Sequence, residues 1–321
     1  MASSKCAAST RQAVSRIVLP GPHTRSVSRR CNTLIIRHSL PFGAACNAVP
    51  GCLHWGEIHS EDHIPVLRRL LDGLGLYRPL RAAFYRSFRA ITPVKVAGLE
   101  ARFHTPDPDT WRRVVKLGGE REQIERFLNS IQPGDTVWDI GAFIGMFTVL
   151  ASRRVGPEGR VVSFEPEPST WQRLQANCKL NQCENTSLFN AALADHSGEG
   201  MIYPSRENEN AIHSLQHNEQ LQDQGIPVRL YSATELIREH DVPFPDAIKL
   251  DVEGAECLVM RGMKDILSTP RCRFLFMEVH PRDLPGFGHS VEDVHRLLEE
   301  TGFVIEHETR RGSEYHYFCR K

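Results

Sequence analysis

Apolar and polar positions change their period several times along the chain. Within 61–92, Ile64, Val66, Leu67, Leu70 and Leu71 recur at helical spacing until Gly73 and Gly75 break the pattern. A second helical stretch runs from about Pro79 to Ala90, with Leu80, Ala83, Phe84 and Phe88 on one side. Val94–Phe103 then alternates as a short hairpin does, and Glu120–Ile131 returns to the helical period with Ile124, Phe127 and Leu128 on one face. Pro133-Gly134-Asp135 makes a turn.

Beyond that turn seven short runs predict strands: Thr136–Ile140, Arg160–Phe164, Thr186–Ala191, Ala247–Leu250, Arg273–Val279, Phe303–Glu308 and Glu314–Cys319. Helical stretches separate most of them. Gly145–Val155 follows the first strand, Trp171, Leu174 and Cys178 mark the helix after the second, and Val259, Met263 and Leu267 the one after the fourth. Ser290 with Asp293 gives a capping signature ahead of Val294, Leu297 and Leu298. This alternation predicts an α/β fold, a mostly parallel seven-stranded sheet with helices on both faces. The link Thr309–Ser313 is too short to hold a crossover helix, so the last two strands should pair antiparallel.

Composition adds boundaries to this picture. The 321 residues allow one large α/β domain at 93–321, a helical extension at 61–92 and a leading segment at 1–60. From Met1 to Gly56 there is no Asp or Glu, while Lys5, Arg11, Arg16, Arg25, Arg29, Arg30 and Arg37 are spread among abundant Ser and Ala. That reads as a disordered tail, as residues added by an upstream start, or as a peptide for import into a mitochondrion or plastid. Arg78, Arg81, Arg86 and Arg89 make the Pro79–Ala90 stretch basic, fit to pack on a neighbouring domain or to lie on an anionic membrane surface.

The 39 basic and 39 acidic side chains cancel, so no global field would attract nucleic acid, and no nucleic-acid partner is expected. No run of about 18 apolar residues is present, and no transmembrane helix is predicted. The nine cysteines contain no Cys-x-x-Cys pair, which fits reduced thiols in a soluble intracellular protein.

Ligands on such sheets bind beyond the carboxyl ends of the strands, near the first one. There the chain reads Trp138-Asp139-Ile140-Gly141-Ala142-Phe143-Ile144-Gly145. Gly141 and Gly145 suit close backbone approach and unusual dihedrals, but the middle glycine of the dinucleotide fingerprint is missing. Asp139 would repel a pyrophosphate and could accept hydrogen bonds from a cationic amino group. The second strand ends at Glu165, in a position to bind both ribose hydroxyls of an adenosine. Strand, glycine turn, helix, strand and acid together point to an adenosine-type cofactor.

At this point the sequence resembles the FkbM-like family of methyltransferases. The matching blocks are Asp139–Gly145, Phe164-Glu165-Pro166, Asn190–Asp195, Ile248-Lys249-Leu250-Asp251-Val252-Glu253-Gly254-Ala255-Glu256 and Met277-Glu278-Val279-His280. They fall in family order over roughly 119–318. The one departure is Phe143, where the family usually has Asn. The resemblance implies a class I methyltransferase, Rossmann-like, with a single antiparallel strand in its sheet. It further implies S-adenosylmethionine as cofactor, contacted by Asp139, Gly141, Ala142, Gly145, Glu165 and Ala192. The reaction it implies is most often methylation of a hydroxyl oxygen on a small-molecule, sugar or glycolipid acceptor.

A hydroxyl acceptor needs its proton removed as the new bond forms. Asp251, Glu253 and His280, at strand ends bordering one cleft, are the candidates. His280 leads as the base because an unperturbed imidazole titrates near neutrality. Asp251 would position the acceptor or contact the methyl-donor end of the cofactor. The three could also offer oxygens and an imidazole to a divalent cation, although no resident metal is expected. The polar stretch Tyr203–Gly225, with His213 and Ser214, reads as an irregular insertion that covers the cleft or stays solvated. The competing readings are an NAD- or nucleotide-sugar-dependent oxidoreductase and a domain that binds S-adenosylmethionine without turnover.

Overall fold

The central sheet follows from strands that are buried on both faces. In Thr136–Ile140 (β3), Val137 packs into one apolar cluster and Trp138 and Ile140 into the other. Neighbouring Ala247–Leu250 (β10) divides likewise, with Ala247 on one side and Ile248 and Leu250 on the other. Strands covered by helices on both faces are continuously apolar rather than alternating. The computed structural model in which this is seen describes residues 90–204, 213–214 and 225–321. The expected segment 1–60, the helical extension up to residue 89 and most of the polar stretch Tyr203–Gly225 lie outside the described residues.

Before the sheet, Ile91–Val96 (β1) and Leu99–His104 (β2) form the expected antiparallel hairpin, turning at Ala97-Gly98. The first of these strands begins two residues ahead of the boundary expected at 93. The helices Pro108–Lys116 (α1) and Arg121–Ser130 (α2) follow, and Met146–Val155 (α3) leaves the carboxyl end of β3. The main sheet is completed by Arg160–Phe164 (β4), Thr186–Phe189 (β5), Phe274–Val279 (β11), Val304–Arg311 (β12) and Glu314–Arg320 (β13), in the order β12-β13-β11-β10-β3-β4-β5. The pairings β11-β10-β3-β4-β5 are parallel, and β13 runs antiparallel to both of its neighbours. This is the expected seven-stranded, doubly wound α/β sheet with one antiparallel strand. From β3 the chain winds outward through β4 and β5, then returns to β10 on the opposite side. A crevice therefore opens between the carboxyl ends of β3 and β10.

Two features differ from the sequence reading. The third predicted strand, Thr186–Ala191, stops at Phe189. Asn190 there turns its amide to the carbonyls of Glu165 (2.9 Å) and Pro166 (3.0 Å), and Ala192–Leu193 (β6) leaves for a second sheet. That sheet, which the sequence did not announce, orders β6, Ile226–Tyr231 (β9), Gly198–Pro204 (β7) and His213–Ser214 (β8). The polar stretch expected to be irregular thus contributes strand residues at both Tyr203-Pro204 and His213-Ser214.

Candidate active site

The turn after β3 is shaped by what packs against it. Gly141 and Gly145 take positive φ of 80° and 87°, and Phe143 a φ of 50° in the left-handed region that favours glycine. A Cβ on Gly141 would overlap the carbonyl oxygen of Asp251, and one on Gly145 would strike Leu174. Both glycines are therefore dictated by close approach of neighbouring chain rather than by room for a ligand. The amides of the turn are already engaged. Gly141 and Ala142 donate to the Phe164 carbonyl at 3.0 and 2.9 Å, and Phe143 donates to Glu165 Oε2 at 2.8 Å. A pyrophosphate site needs such amides free to face its oxygens. This turn offers none of these three, which disfavours the oxidoreductase reading.

Beyond the turn lies a cleft that opens to solvent. Phe164, Pro166, Ala192, Leu193 and Ile202 give it an apolar side, and Glu165, Asp251 and Glu253 line it with carboxylates. Of the residues expected to form the site, Gly141, Glu165, Ala192, Asp251 and Glu253 meet here. Asp139, Ala142, Gly145 and His280 do not line the cleft. Ala142 and Gly145 face the core, where they set the shape of the turn.

Asp139 is a correction of position. It was expected to meet a cationic amino group directly, but it is buried beneath the turn. Its Oδ2 accepts from Thr148 Oγ1 at 2.6 Å, and its Oδ1 stands 3.6 Å from Lys249 Nζ. Burial pushes its carboxyl upward, with Lys249 and Thr148 working against that shift.

Lys249 is the residue that sequence reasoning missed. It is 3% exposed, donates to the Gly141 carbonyl at 2.6 Å and reaches Asp251 Oδ2 at 3.3 Å. Burial opposes its charge, but Asp251 and Asp139 outweigh that and hold the ammonium firmly protonated. The signal was available, since a lysine inside the otherwise apolar strand Ala247–Leu250 needs buried partners.

Glu165 closes β4 and accepts from the Phe143 and Glu167 amides, yet burial still pushes it up to about 7. Glu167 caps the next helix, Pro168–Leu180 (α4), accepting from the Ser169 and Thr170 amides at 3.0 and 2.6 Å.

At the other wall, Glu253 sits at φ 50° between Asp251 and Gly254. Burial first, then the charges of Asp251, Glu278 and Glu256, push its carboxyl up to about 8. His280 lies behind it, 4% exposed, its Nδ1 2.7 Å from Glu256 Oε1. Its Nε2 faces Glu253 at 3.4 Å and Asp251 at 3.9 Å. Burial disfavours the charged imidazole, but the hydrogen bond to Glu256 and the surrounding carboxylates raise it well above its ordinary value. These partners favour the protonated ring over the neutral imidazole that a base requires.

Farther back, Glu278 pairs with Arg311 at 2.8 Å, and Arg311 also reaches Glu314 at 2.9 Å. The groups Asp251/Glu253/His280 and Glu278/Glu314/His316 each gather side chains of metal-ligating type. In both, a cation of the protein itself, His280 or Arg311, already stands among the carboxylates.

Among the described residues no helix is long and apolar enough to cross a membrane. The family model described as the methyltransferase FkbM domain matches residues 139–305. The chain is similar to the hexuronic acid methyltransferase AglP of Haloferax volcanii, 29% identical over 213 residues, 66% of this chain and 81% of that relative. It is also similar to the 31-O-demethyl-FK506 methyltransferase FkbM of Streptomyces tacrolimicus, 28% identical over 202 residues, 54% of this chain and 75% of that one. Among solved structures, a precorrin-6y C5,15-methyltransferase from Geobacter metallireducens superposes with a TM-score of 0.41 at 15% identity, over 63% of this chain and 88% of the other. A glycine turn at a strand end, an acid closing the next strand and a family model spanning half of the chain converge: this chain belongs to the FkbM methyltransferase family and is a methyltransferase dependent on S-adenosylmethionine.

Proposed function

We propose that the enzyme methylates a hydroxyl oxygen of a sugar or other small polar acceptor, with Glu253 as the general base. The observation that carries this reading is Glu253 at the cleft wall, its carboxyl pushed up to about 8 beside the imidazolium of His280. S-adenosylmethionine supplies an electrophilic methyl group on a sulfonium. The residues present fit such a cofactor: a cleft lined by carboxylates favours its cationic groups, and the slot of Phe164, Pro166, Ala192 and Ile202 suits a flat adenine.

Glu165, fixed by two backbone amides, accepts the ribose hydroxyls. Gly141 and Asp251 border the methionine end, and Lys249 locks their two loops together from below. As the acceptor oxygen gains the methyl, its proton passes to Glu253 and from there to water. A carboxylate of that basicity is a better proton acceptor near neutrality than an ordinary one. His280 holds Glu253 in place through its charge, and Glu256 in turn fixes the ring. The base role expected of His280 is therefore reassigned to its neighbour.

The test is a labelled-methyl transfer assay over panels of hexoses, uronic acids and small alcohols. Turnover should rise with pH as Glu253 loses its proton, half-maximal near pH 8 and levelling off above it. Glu253→Gln should lower kcat by about 10²-fold or more and abolish that rise, with cofactor binding kept. Full turnover in that variant would remove Glu253 from the base role.

A further inference from the structure

Among the described residues that line the cleft Arg113 is the one cation, and the proposed methyl transfer gives it no role. It lies in the last turn of α1, exposed, with its guanidinium 4.5 Å from the centre of the Phe143 ring. Its neighbours on that helix make their own arrangements: Arg112 reaches Asp109 at 3.6 Å, and Asp107 caps the first turn. The nearby carboxylates at the rim are already committed to backbone, Glu165 to the Phe143 and Glu167 amides and Glu167 to the start of α4. No ion pair or hydrogen bond of the Arg113 guanidinium is found among the described residues, and what holds it is the face of an aromatic ring. An arginine stacked in this way keeps its planar fork of N–H donors turned outward for a bidentate partner.

The wall it faces is acidic, with Glu165, Glu167, Asp251 and Glu253 around the cavity. A ligand carrying positive charge toward those acids and one carboxylate toward the rim would match the field at both ends.

We propose that Arg113, on its Phe143 platform, is the carboxylate-binding residue of this cleft. The proposal rests on the cofactor reading above. The carboxylate belongs either to the methionine part of S-adenosylmethionine or to an acidic acceptor, and both would be held by the same two-pronged hydrogen bonding. Phe143, which departs from the family pattern, becomes the residue that fixes the arginine.

The experiment uses the full chain and calorimetry. Wild type and Arg113→Gln are titrated with S-adenosylmethionine and with its decarboxylated analogue. In a second arm, both proteins saturated with S-adenosylhomocysteine are titrated with D-glucuronate and D-glucose. If the cofactor supplies the carboxylate, Arg113→Gln weakens S-adenosylmethionine about tenfold and leaves the decarboxylated analogue unchanged. If the acceptor supplies it, the cofactor pair is unaffected and the preference for glucuronate over glucose is lost. Arg113→Lys should recover part of the loss, and Phe143→Leu should reproduce part of it.

A loss of equal size for carboxylated and decarboxylated ligands would mean a structural role and overturn the proposal. So would unchanged ratios in both arms. Failure of the wild type to bind S-adenosylmethionine at all would bring down the cofactor reading and this one with it. Intact wild-type binding with no discrimination by Arg113 would sink this one alone.

Discussion

At Gly141 the absence of one carbon lets two loops touch. The Asp251 carbonyl occupies the place a side chain would need, and the positive φ adds strain for any other residue. Gly141→Ala should cost at least about 2 kcal/mol and misplace Asp251 at the same time. A thermal melt paired with cofactor titration checks this, and a variant that melts and binds like wild type would refute it. Residue by residue, the site was legible where chemistry sits at a strand end. Glu165 and Glu253 were found because the motif placed them on the cleft. His280 was placed beside the cleft by its strand end, but the carboxylates that surround its ring were not visible from the sequence. Its charge state depends on Glu256, which accepts a hydrogen bond from the ring, and on Asp251 and Glu253, which lie beside it in space. A pattern in one dimension does not count the carboxylates around a ring.

Among elements, the β1–β2 hairpin shows how a sheet edge is kept from pairing elsewhere. The outer edge of β2 is met not by a strand but by amide side chains at the carboxyl end of α4, Asn177 in its last turn and Asn181 capping it. Asn181 accepts from the Arg102 amide at 2.9 Å and donates to the Arg102 carbonyl at 2.6 Å, while Asn177 accepts from the His104 amide at 2.8 Å. These amides imitate the ladder that an adjacent strand would provide. Asn181→Ala should strip two such bonds, cost about 1–3 kcal/mol and speed amide exchange along Leu99–His104. Exchange in those residues matching wild type would contradict that account.

The hairpin itself was readable from its alternation, and the seven strands of the main sheet from their apolar runs. The second sheet was not. Ala192–Leu193 and His213–Ser214 span two residues each, too few to show a period. Ala192–Leu193 pairs with the distant Ile226–Tyr231, and His213–Ser214 with Tyr203-Pro204.

Across the whole molecule, the acids of the cleft act in concert on stability. Glu165, Glu253 and Glu278 are pushed up to about 7, 8 and 9, with burial as the largest cause in each. Each therefore binds more protons in the folded chain than in the unfolded one above an ordinary carboxyl value near 4.5. The stability each one contributes falls as pH rises through that window. His280, raised by its partners, adds stability that is likewise lost as pH rises, whereas His316, lowered mainly by burial, acts in the opposite sense. The melting temperature of the ligand-free enzyme should decline from about pH 5.5 to pH 9. Saturating S-adenosylmethionine should flatten that decline, because ligand positive charge favours the ionised acids. A melting temperature that climbs over this range without ligand would show that the cleft acids are not perturbed in this way. Cofactor affinity should follow the reverse course and weaken as pH falls below about 7, where Glu165 takes up its proton.

The position of β13 has a consequence for how the molecule comes into being. This strand lies between β11 and β12, inside the sheet, although it follows both in the chain. During synthesis β11 is therefore left with an open flank until residues 314–320 have emerged from the ribosome and can enter the gap. Arg311, the counter-charge to Glu278, arrives on the same hairpin. A nascent chain halted short of it would hold the cofactor turn and both walls of the cleft but leave Glu278 without its guanidinium partner. The wall behind the cleft is thus complete only once the Val304–Arg320 hairpin has docked, and a nascent chain in which that hairpin has not yet emerged should turn over poorly.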